Sequence, residues 1–351
     1  MLESLDQNKI PYALYDRVRV EPSDESFLDA IAFANARPFD AFVAVGGGSV
    51  IDTAKAVNLY TTYPPADFLD YVNPPIGKGL PVPGPLKPLL AIPTTAGTGS
   101  ETTGVTIFDY KKLHAKTGIA NRRLKPTLGY LDPENTRTMP PQVAASTGLD
   151  ILSHAVESFT AMPFTDRPMP GPAGDAARLP GIESDQRHLV DAGAAHGEPA
   201  SSCARSTITS DDEARANMLL AASYAGVGFG NAGVHLPHGM SYPVSGHVKS
   251  YRAPGYAADH PIVPHGMSVI LNAPAVFRFT AQRERRERIS RLPKRSAPTS
   301  PARNRRTPGR FSPIASPGSC SGCRCPTASR RSATHRRTFR RSSRERCRSI
   351  A

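Results

Sequence analysis

Two regimes of apolar patterning divide the chain. Up to about residue 140, short apolar runs alternate with stretches of helical period. Residues 12 to 18, the run Ala41-Phe42-Val43-Ala44-Val45 and residues 88 to 93 are short and rich in aliphatic and aromatic side chains, which predicts strands. Residues 23 to 36, after Pro22, and 49 to 60 carry apolar residues at helical spacing. Segments 103 to 110 and 114 to 120 read as a hairpin, with a further short strand at 128 to 132. After Pro140-Pro141 the period turns helical, and 142 to 162 and 212 to 230 are candidate helices. The run Leu219 to Val234 is rich in Gly and Ala with polar breaks, so close helix packing is expected rather than membrane insertion. The pattern predicts an α/β half over 1–140 followed by a helical half over 141–280.

Charge changes that picture at the C-terminal end. The 351 residues carry a net +13, but residues 281 to 351 hold 20 Arg and one Lys against three Glu, a net +18, which leaves the first 280 residues at −5. The mildly acidic body argues against a nucleic-acid role for the folded part, while the tail could bind polyanions through charge alone. The tail is dominated by Arg, Ser and Pro without apolar period, and is expected to be disordered. Four of the five cysteines fall in it, but Cys320-x2-Cys323-x-Cys325, with His335 and Cys347 beyond, lacks the spacing of a paired zinc knuckle. Residues 168 to 210 also break the pattern. Codons for Arg178 to His188, read one nucleotide later, can give Gly-Tyr-Gln-Gly-Ser-Asn-Pro-Ile-Ser-Asp. Compensated frameshifts in 168–210 and an uncompensated one near 281 are therefore expected, against the alternative of a natural insertion and tail.

The chemistry lies in four places. Gly46-Gly47-Gly48-Ser49 follows a strand and opens a helix, where unpaired backbone N–H groups and the positive end of the helix dipole favour a phosphate. It is neither a Gly-x-Gly-x-x-Gly fingerprint nor a P-loop. Thr94-Thr95-Ala96-Gly97-Thr98-Gly99-Ser100-Glu101 follows the next strand and offers many donors with little bulk, as a ribose or pyrophosphate requires. Both loops lie where open α/β sheets bind ligands. Asp150 and His154, four apart, share one helix face. The repeats Pro237-His238-Gly239-Met240 and Pro264-His265-Gly266-Met267 each supply another imidazole, followed by a Gly that would let the backbone approach closely. One carboxylate and three imidazoles suit Fe2+ or Zn2+ better than Mg2+ or Ca2+. A cofactor and a metal in one chain point to redox chemistry.

These motifs, with Thr102 to Tyr110 and Phe229 to Pro243, resemble the iron-containing (group III) alcohol dehydrogenases, and within them the hydroxyacid-oxoacid transhydrogenase branch. The resemblance covers residues 8 to about 167 and about 211 to 280. It implies a Rossmann-like nucleotide domain joined to an all-helical, dehydroquinate synthase-like metal domain. It further implies that Gly46, Gly47, Gly48 and Ser49, with Asp52 nearby, hold the NAD pyrophosphate. Thr94, Thr95, Thr98 and Lys116 would contact the ribose and nicotinamide side, and Asp150, His154, His238 and His265 would be the metal ligands. Many relatives carry a further His four residues after the third ligand, where this chain has Tyr242. The implied reaction passes hydride from an alcohol or hydroxyacid to NAD, with 4-hydroxybutyrate as donor and 2-oxoglutarate as acceptor in the transhydrogenase branch. Arg252 is a candidate cation for a substrate carboxylate.

Alternatives remain open at this stage: a general iron-type alcohol dehydrogenase, an inactive truncated or frameshifted fragment, and polyanion binding by the tail. By comparison with the family, the nucleotide domain is expected to lack most of its first strand, helix and strand. Met1 to Ile10 carries Glu3 and Asp6 and no Arg, so neither a presequence nor a signal peptide is expected there. A cytoplasmic location is expected, with a mitochondrial one only for a eukaryotic protein whose presequence is missing. The expected partners are a small alcohol or hydroxyacid and an oxoacid, with no specific nucleic acid and no membrane, and a homodimer is left open.

Overall fold

Ser23 starts the first long helix where the sequence predicts it. Its hydroxyl accepts from the Ser26 N–H (3.3 Å), and the Ser26 hydroxyl accepts from the Ser23 N–H (2.8 Å), so two otherwise orphaned donors are satisfied reciprocally. In the computed structural model, which describes residues 1–161, 212–256 and 258–284 and side chains up to residue 280, this helix is α2 (Asp24–Asn35), following a short α1 (Leu2–Gln7). The expectations for 168–210 and for 285–351, including Cys320, Cys323 and Cys325, lie outside the described residues. Helix α2 buries Phe27, Ala30, Ile31 and Ala34 against Ala56, Leu59 and Tyr60 of α3 (Gly48–Thr62) and against Phe108 and Ile119.

Strands β1 (Phe42–Gly46), β2 (Leu89–Pro93) and β5 (Leu128–Gly129) form a parallel sheet in the order β1-β2-β5. Helix α3 covers one face, packing Ile51 onto Ala44, Leu89 and Ala91. Because Gly46 is in register with Pro93, the loops that follow β1 and β2 emerge side by side. The predicted hairpin forms as β3 (Val105–Tyr110) and β4 (Ala115–Ala120), paired antiparallel from Val105↔Ala120 to Tyr110↔Ala115.

Two predicted strands differ. Residues 12 to 18 join no ladder among the described residues. The Tyr15 hydroxyl donates to Asp29 (2.7 Å) and Arg17 pairs with the same carboxylate (3.0 Å), so side chains of this segment are tied to α2. The strand at 128–132 stops at Gly129, because Asp132 caps a 3-10 turn over Pro133–Thr136.

From Pro141 onward the described regular elements are helices: α4 (Pro141–Thr160), α5 (Asp212–Ala232), α6 (Leu236–Gly246), α7 (His265–Ile270) and α8 (Ala273–Glu284). Helix α8 runs four residues into the stretch expected to be a disordered tail. It is anchored by buried Ala273 and Val276, and once nucleated a helix extends at little further cost. The helical core joins Ala144 and Ile151 of α4 to Met218, Leu219, Ala222 and Ala225 of α5, and takes in Ala96 from the loop after β2. That loop is fastened to α5 twice. Gly99, at φ +57°, lies so close that a Cβ there would stand 2.6 Å from the Gly226 Cα, and buried Glu101 accepts a hydrogen bond from the Ser223 hydroxyl. The loop after β2 and the helical half are thus held as one body. No helix among the described residues is long and apolar enough to cross a membrane.

Candidate metal centre

Helix α4 presents Asp150 and His154 one turn apart, α6 brings His238 in its first turn, and α7 begins with His265. The structure gathers all four, with one ligand atom from each lying within 4.8 Å of every other. Asp150 Oδ1 sits at the middle, 3.8 Å from His154 Nε2, 3.5 Å from His238 Nε2 and 3.7 Å from His265 Nε2. Ligands about 2.1 Å from a tetrahedral ion stand about 3.4 Å from one another, so these spacings fit one divalent ion with slight contraction. Asp150 Oδ1 and His238 Nε2 are buried with no hydrogen-bond partner, a costly arrangement for polar atoms unless something is coordinated between them.

Electrostatics agree with that arrangement. Burial alone would push the Asp150 carboxyl up, but His154, His265 and His238 outweigh it and hold the group ionised, well below the ordinary carboxylate range. Burial pushes His154 down to about 4, so it stays neutral at physiological pH, as a ligand must. Its ring is clamped between Phe229 (4.1 Å, 15°) and His238 (4.6 Å, 21°). For His238 the neighbouring Asp150 and Glu157 carboxylates outweigh burial and raise it to about 9, so an ion taking up Nε2 must displace a proton there. His265 is the open side of the cluster, its side chain 31% exposed where Asp150 is 2%.

The two Pro-His-Gly-Met repeats are not equivalent. A Cβ on Gly266 would lie 2.0 Å from the Ser146 carbonyl oxygen of α4, so this glycine does permit close approach. A Cβ on Gly239 would meet nothing within 4 Å among the described residues outside its own stretch of helix, which corrects the expectation for the first repeat. Sequence reasoning also missed Glu157. It lies on α4 seven residues after Asp150, is fully buried, and its Oε1 is 2.6 Å from His238 Nδ1. The i, i+4, i+7 stripe Asp150, His154, Glu157 was the available signal.

The residues expected to hold a dinucleotide surround the adjoining sheet edge. Gly46, Gly47 and Gly48 lead into α3, whose N-cap Gly47 makes no side-chain cap. A Cβ on Gly47 would press on Thr95 at 3.2 Å and one on Gly48 on Thr98 at 2.6 Å, so the two loops touch and only small residues fit between them. The Thr94 N–H donates to Gly46 O (3.0 Å), and the Ser49 hydroxyl accepts from the Glu21 N–H (3.1 Å). Asp52 is tied into the protein, accepting from the Ser100 hydroxyl (2.5 Å) and the Ile107 N–H (3.0 Å) beside fully buried Lys55 (3.7 Å). Lys116 is also paired, 3.1 Å from both Glu21 and Asp109, and these partners outweigh its burial and raise its pKa. Burial raises the Tyr242 hydroxyl above its ordinary value, with Lys116 opposing and Asp52 and Glu157 adding to the shift. Arg252 donates to the Ala258 (3.4 Å) and Asp259 (3.1 Å) carbonyls of its own loop.

A parallel sheet with two small-residue loops at one edge, set against helices carrying an Asp and three His, defines a class, and comparison with known proteins agrees. Residues 1–133 match the iron-containing alcohol dehydrogenase family, and residues 202–299 match the C-terminal part of the Fe-containing alcohol dehydrogenase family. The chain belongs to the iron-containing alcohol dehydrogenase family. It is 59% identical over 284 residues to the mitochondrial hydroxyacid-oxoacid transhydrogenase of Xenopus tropicalis, covering 80% of this chain and 61% of that protein. It is 56% identical to the human protein of the same name, covering 80% and 60%. Among solved structures it is similar to the iron-containing alcohol dehydrogenases of Thermotoga maritima (26% identity, TM-score 0.61, covering 80% of this chain and 66% of that one) and Thermococcus thioreducens (29%, 0.62, 80% and 65%). The chain spans about three fifths of the length of these two curated relatives.

Proposed function

We propose that the protein is a metal-dependent oxidoreductase that moves hydride between a hydroxyacid or alcohol and NAD. The observation that carries this reading is the convergence of Asp150, His154, His238 and His265, with Asp150 Oδ1 and His238 Nε2 buried and unpartnered. Asp150, His154, His238 and His265 hold the ion, Fe2+ or Zn2+, and His265 borders the side from which substrate arrives. Gly46, Gly47, Gly48 and Ser49, at the amino end of α3, take the pyrophosphate of NAD, and Thr94, Thr95 and Thr98 take the ribose and nicotinamide side. Asp52 shapes that cleft by fixing Ser100 and the start of β3, and Lys116 sets its charge from between Glu21 and Asp109.

When bound, the metal supplies Lewis-acid polarisation of the substrate oxygen, and NAD supplies the carbon that accepts hydride. The protein's own part is to exclude water and fix geometry. His154 is held by stacking, His238 by Glu157, and Asp150 by the helix it shares with His154. Tyr242, raised by burial, keeps its proton at working pH.

The named relatives favour the transhydrogenase form of this reaction. In that form 4-hydroxybutyrate would give up a hydride and a proton and leave as succinic semialdehyde, 2-oxoglutarate would take them up and leave as 2-hydroxyglutarate, and NAD, when bound, would supply the hydride-carrying chemistry between them. Each half transfers one hydride and one proton, so no other oxidant is needed. The assembly of all four ligand positions favours an active enzyme over an inactive fragment. The relatives are named as mitochondrial, which favours the mitochondrial location over the cytoplasmic one. The test is to load the protein with metal and a single equivalent of NAD, and to follow 2-hydroxyglutarate formed from 2-oxoglutarate with and without 4-hydroxybutyrate. Product that depends on 4-hydroxybutyrate and not on excess NAD supports transhydrogenation. Net NADH formation without turnover of 2-oxoglutarate supports a simple dehydrogenase, and neither product removes the proposal.

A further inference from the structure

Glu157 is fully buried between the two helices that carry three of the four ligands, and its carboxylate is divided between two tasks. Its Oε1 accepts from His238 Nδ1 (2.6 Å), while Oε2 accepts from the backbone N–H of His235 (2.8 Å) and, more weakly, of His238 (3.5 Å). His235 is the N-cap of α6 and provides no side-chain cap. A carboxylate from α4 therefore stands where the helix's own cap is missing, and its charge faces the positive end of the α6 dipole. The same group holds the α6 backbone and the ring that this helix presents. An imidazole that donates from Nδ1 has Nε2 left for the cluster, and His238 Nε2 is the buried, unpartnered atom 3.5 Å from Asp150 Oδ1.

We infer that Glu157 is the positioning residue of the metal centre: it sets the His238 tautomer and ring orientation, and couples α6 to α4 so that the four ligands keep their spacing. His154 has a different support, stacking on Phe229, and its Nδ1 has no hydrogen-bond partner among the described residues. His154 thus does not share the dependence of His238 on a carboxylate. The inference rests on the metal reading of the cluster, and the two fail separately. Zinc binding by the wild-type protein tests the reading, and the response to substitution tests the role of Glu157.

The experiment is a calorimetric titration of metal-stripped full-length protein with Zn2+, for wild type, Glu157→Gln, His238→Ala and the double variant. Glutamine keeps the shape but has one acceptor oxygen for the two tasks and no charge. The expected loss of zinc affinity for Glu157→Gln is about 10–100-fold. In the His238→Ala background the same substitution should change affinity less than about twofold, because the ring it positions is gone. An equal loss in both backgrounds, or wild-type affinity for Glu157→Gln, overturns the inference. If Glu157→Gln does not fold, nitrogen-edited NMR of the zinc-loaded wild type decides. A deshielded, slowly exchanging proton on His238 Nδ1 supports the role, and a rapidly exchanging one overturns it.

Discussion

Replacing Gly266 by Ala tests the geometry of the metal centre from its backbone. Gly266 follows His265 in α7, and its Cα faces the Ser146 carbonyl of α4, one turn before Asp150. A methyl group there would stand 2.0 Å from that oxygen and 3.0 Å from the Asp150 Cβ, whereas ordinary contact begins at 3.4 Å. The obstacle is helix backbone and cannot rotate away, so α7 must recede by the difference, about 1.4 Å. Metal–ligand distances tolerate only about 0.2 Å, and His265 is the next residue. Overpacking of this kind costs about 1–3 kcal/mol, which for a domain of this size lowers Tm by roughly 2–12 °C. Zinc affinity should fall by more than the roughly 10–100-fold cost of losing a hydrogen-bond partner behind a ligand. The control is Gly239→Ala in the other Pro-His-Gly-Met repeat, where the methyl meets nothing within 4 Å among the described residues outside its own stretch of helix. That change sits inside α6 and should leave zinc binding intact while gaining up to about 1 kcal/mol. Zinc titration and thermal unfolding of both variants give the answer. Equal zinc affinity for Gly266→Ala and wild type would refute the packing of α7 on α4.

Other perturbations address separate parts of the account. Asp52→Asn leaves fully buried Lys55 without its nearest counter-charge and should cost about 3 kcal/mol in urea unfolding, where a change below about 0.5 kcal/mol would contradict the pairing. Burial pushes Lys55 down to about 8, so between about pH 8 and the unfolded value of 10.5 the unfolded chain binds more protons and Lys55's share of stability rises with pH. From pH 7 to 9 wild type should therefore gain roughly 1 kcal/mol relative to Lys55→Met, and parallel pH profiles would contradict it. Ser23→Ala removes a hydroxyl that caps α2 and should cost about 1 kcal/mol without altering zinc affinity. Phe229→Leu removes the ring stacked on His154 and should weaken zinc binding while Tm of the metal-free protein falls by only a few degrees, and unchanged zinc binding would show that the stack has no role there.

The four residues of the Asp-His cluster were legible because their chemistry is local. An i, i+4 carboxylate and imidazole define a face, and the two Pro-His-Gly-Met repeats mark where other segments return to it. The hairpin and the α2 and α3 helices were legible for the same reason, since capping and period act within a few residues. The strand expected at 12–18 depends on a partner elsewhere in the chain, and alternation alone cannot say whether a ladder or α2 will satisfy it. Glu157 was hidden because a glutamate late in a helix is usually solvated, and only the approach of α6 makes it a buried acceptor. Gly239 and Gly266 have the same local sequence, and tertiary contact distinguishes them. The residues expected to hold a nucleotide divide in a similar way. Gly46 to Ser49 and Thr94 to Thr98 meet as the sheet register requires, whereas the ion pairs of Asp52 and Lys116 depend on Ser100, Ile107, Glu21 and Asp109 from other segments.

The central claim is that Asp150, His154, His238 and His265 hold one divalent ion, and X-ray absorption spectroscopy of the zinc-loaded full-length protein tests it most directly. The account predicts one ion per chain at saturation, with three imidazole nitrogens and a carboxylate oxygen at about 2.0–2.2 Å. His154→Ala should remove one imidazole from the spectrum. Fewer than one ion per chain, a sulfur ligand, or a spectrum unchanged by His154→Ala would place the ion elsewhere and contradict the account.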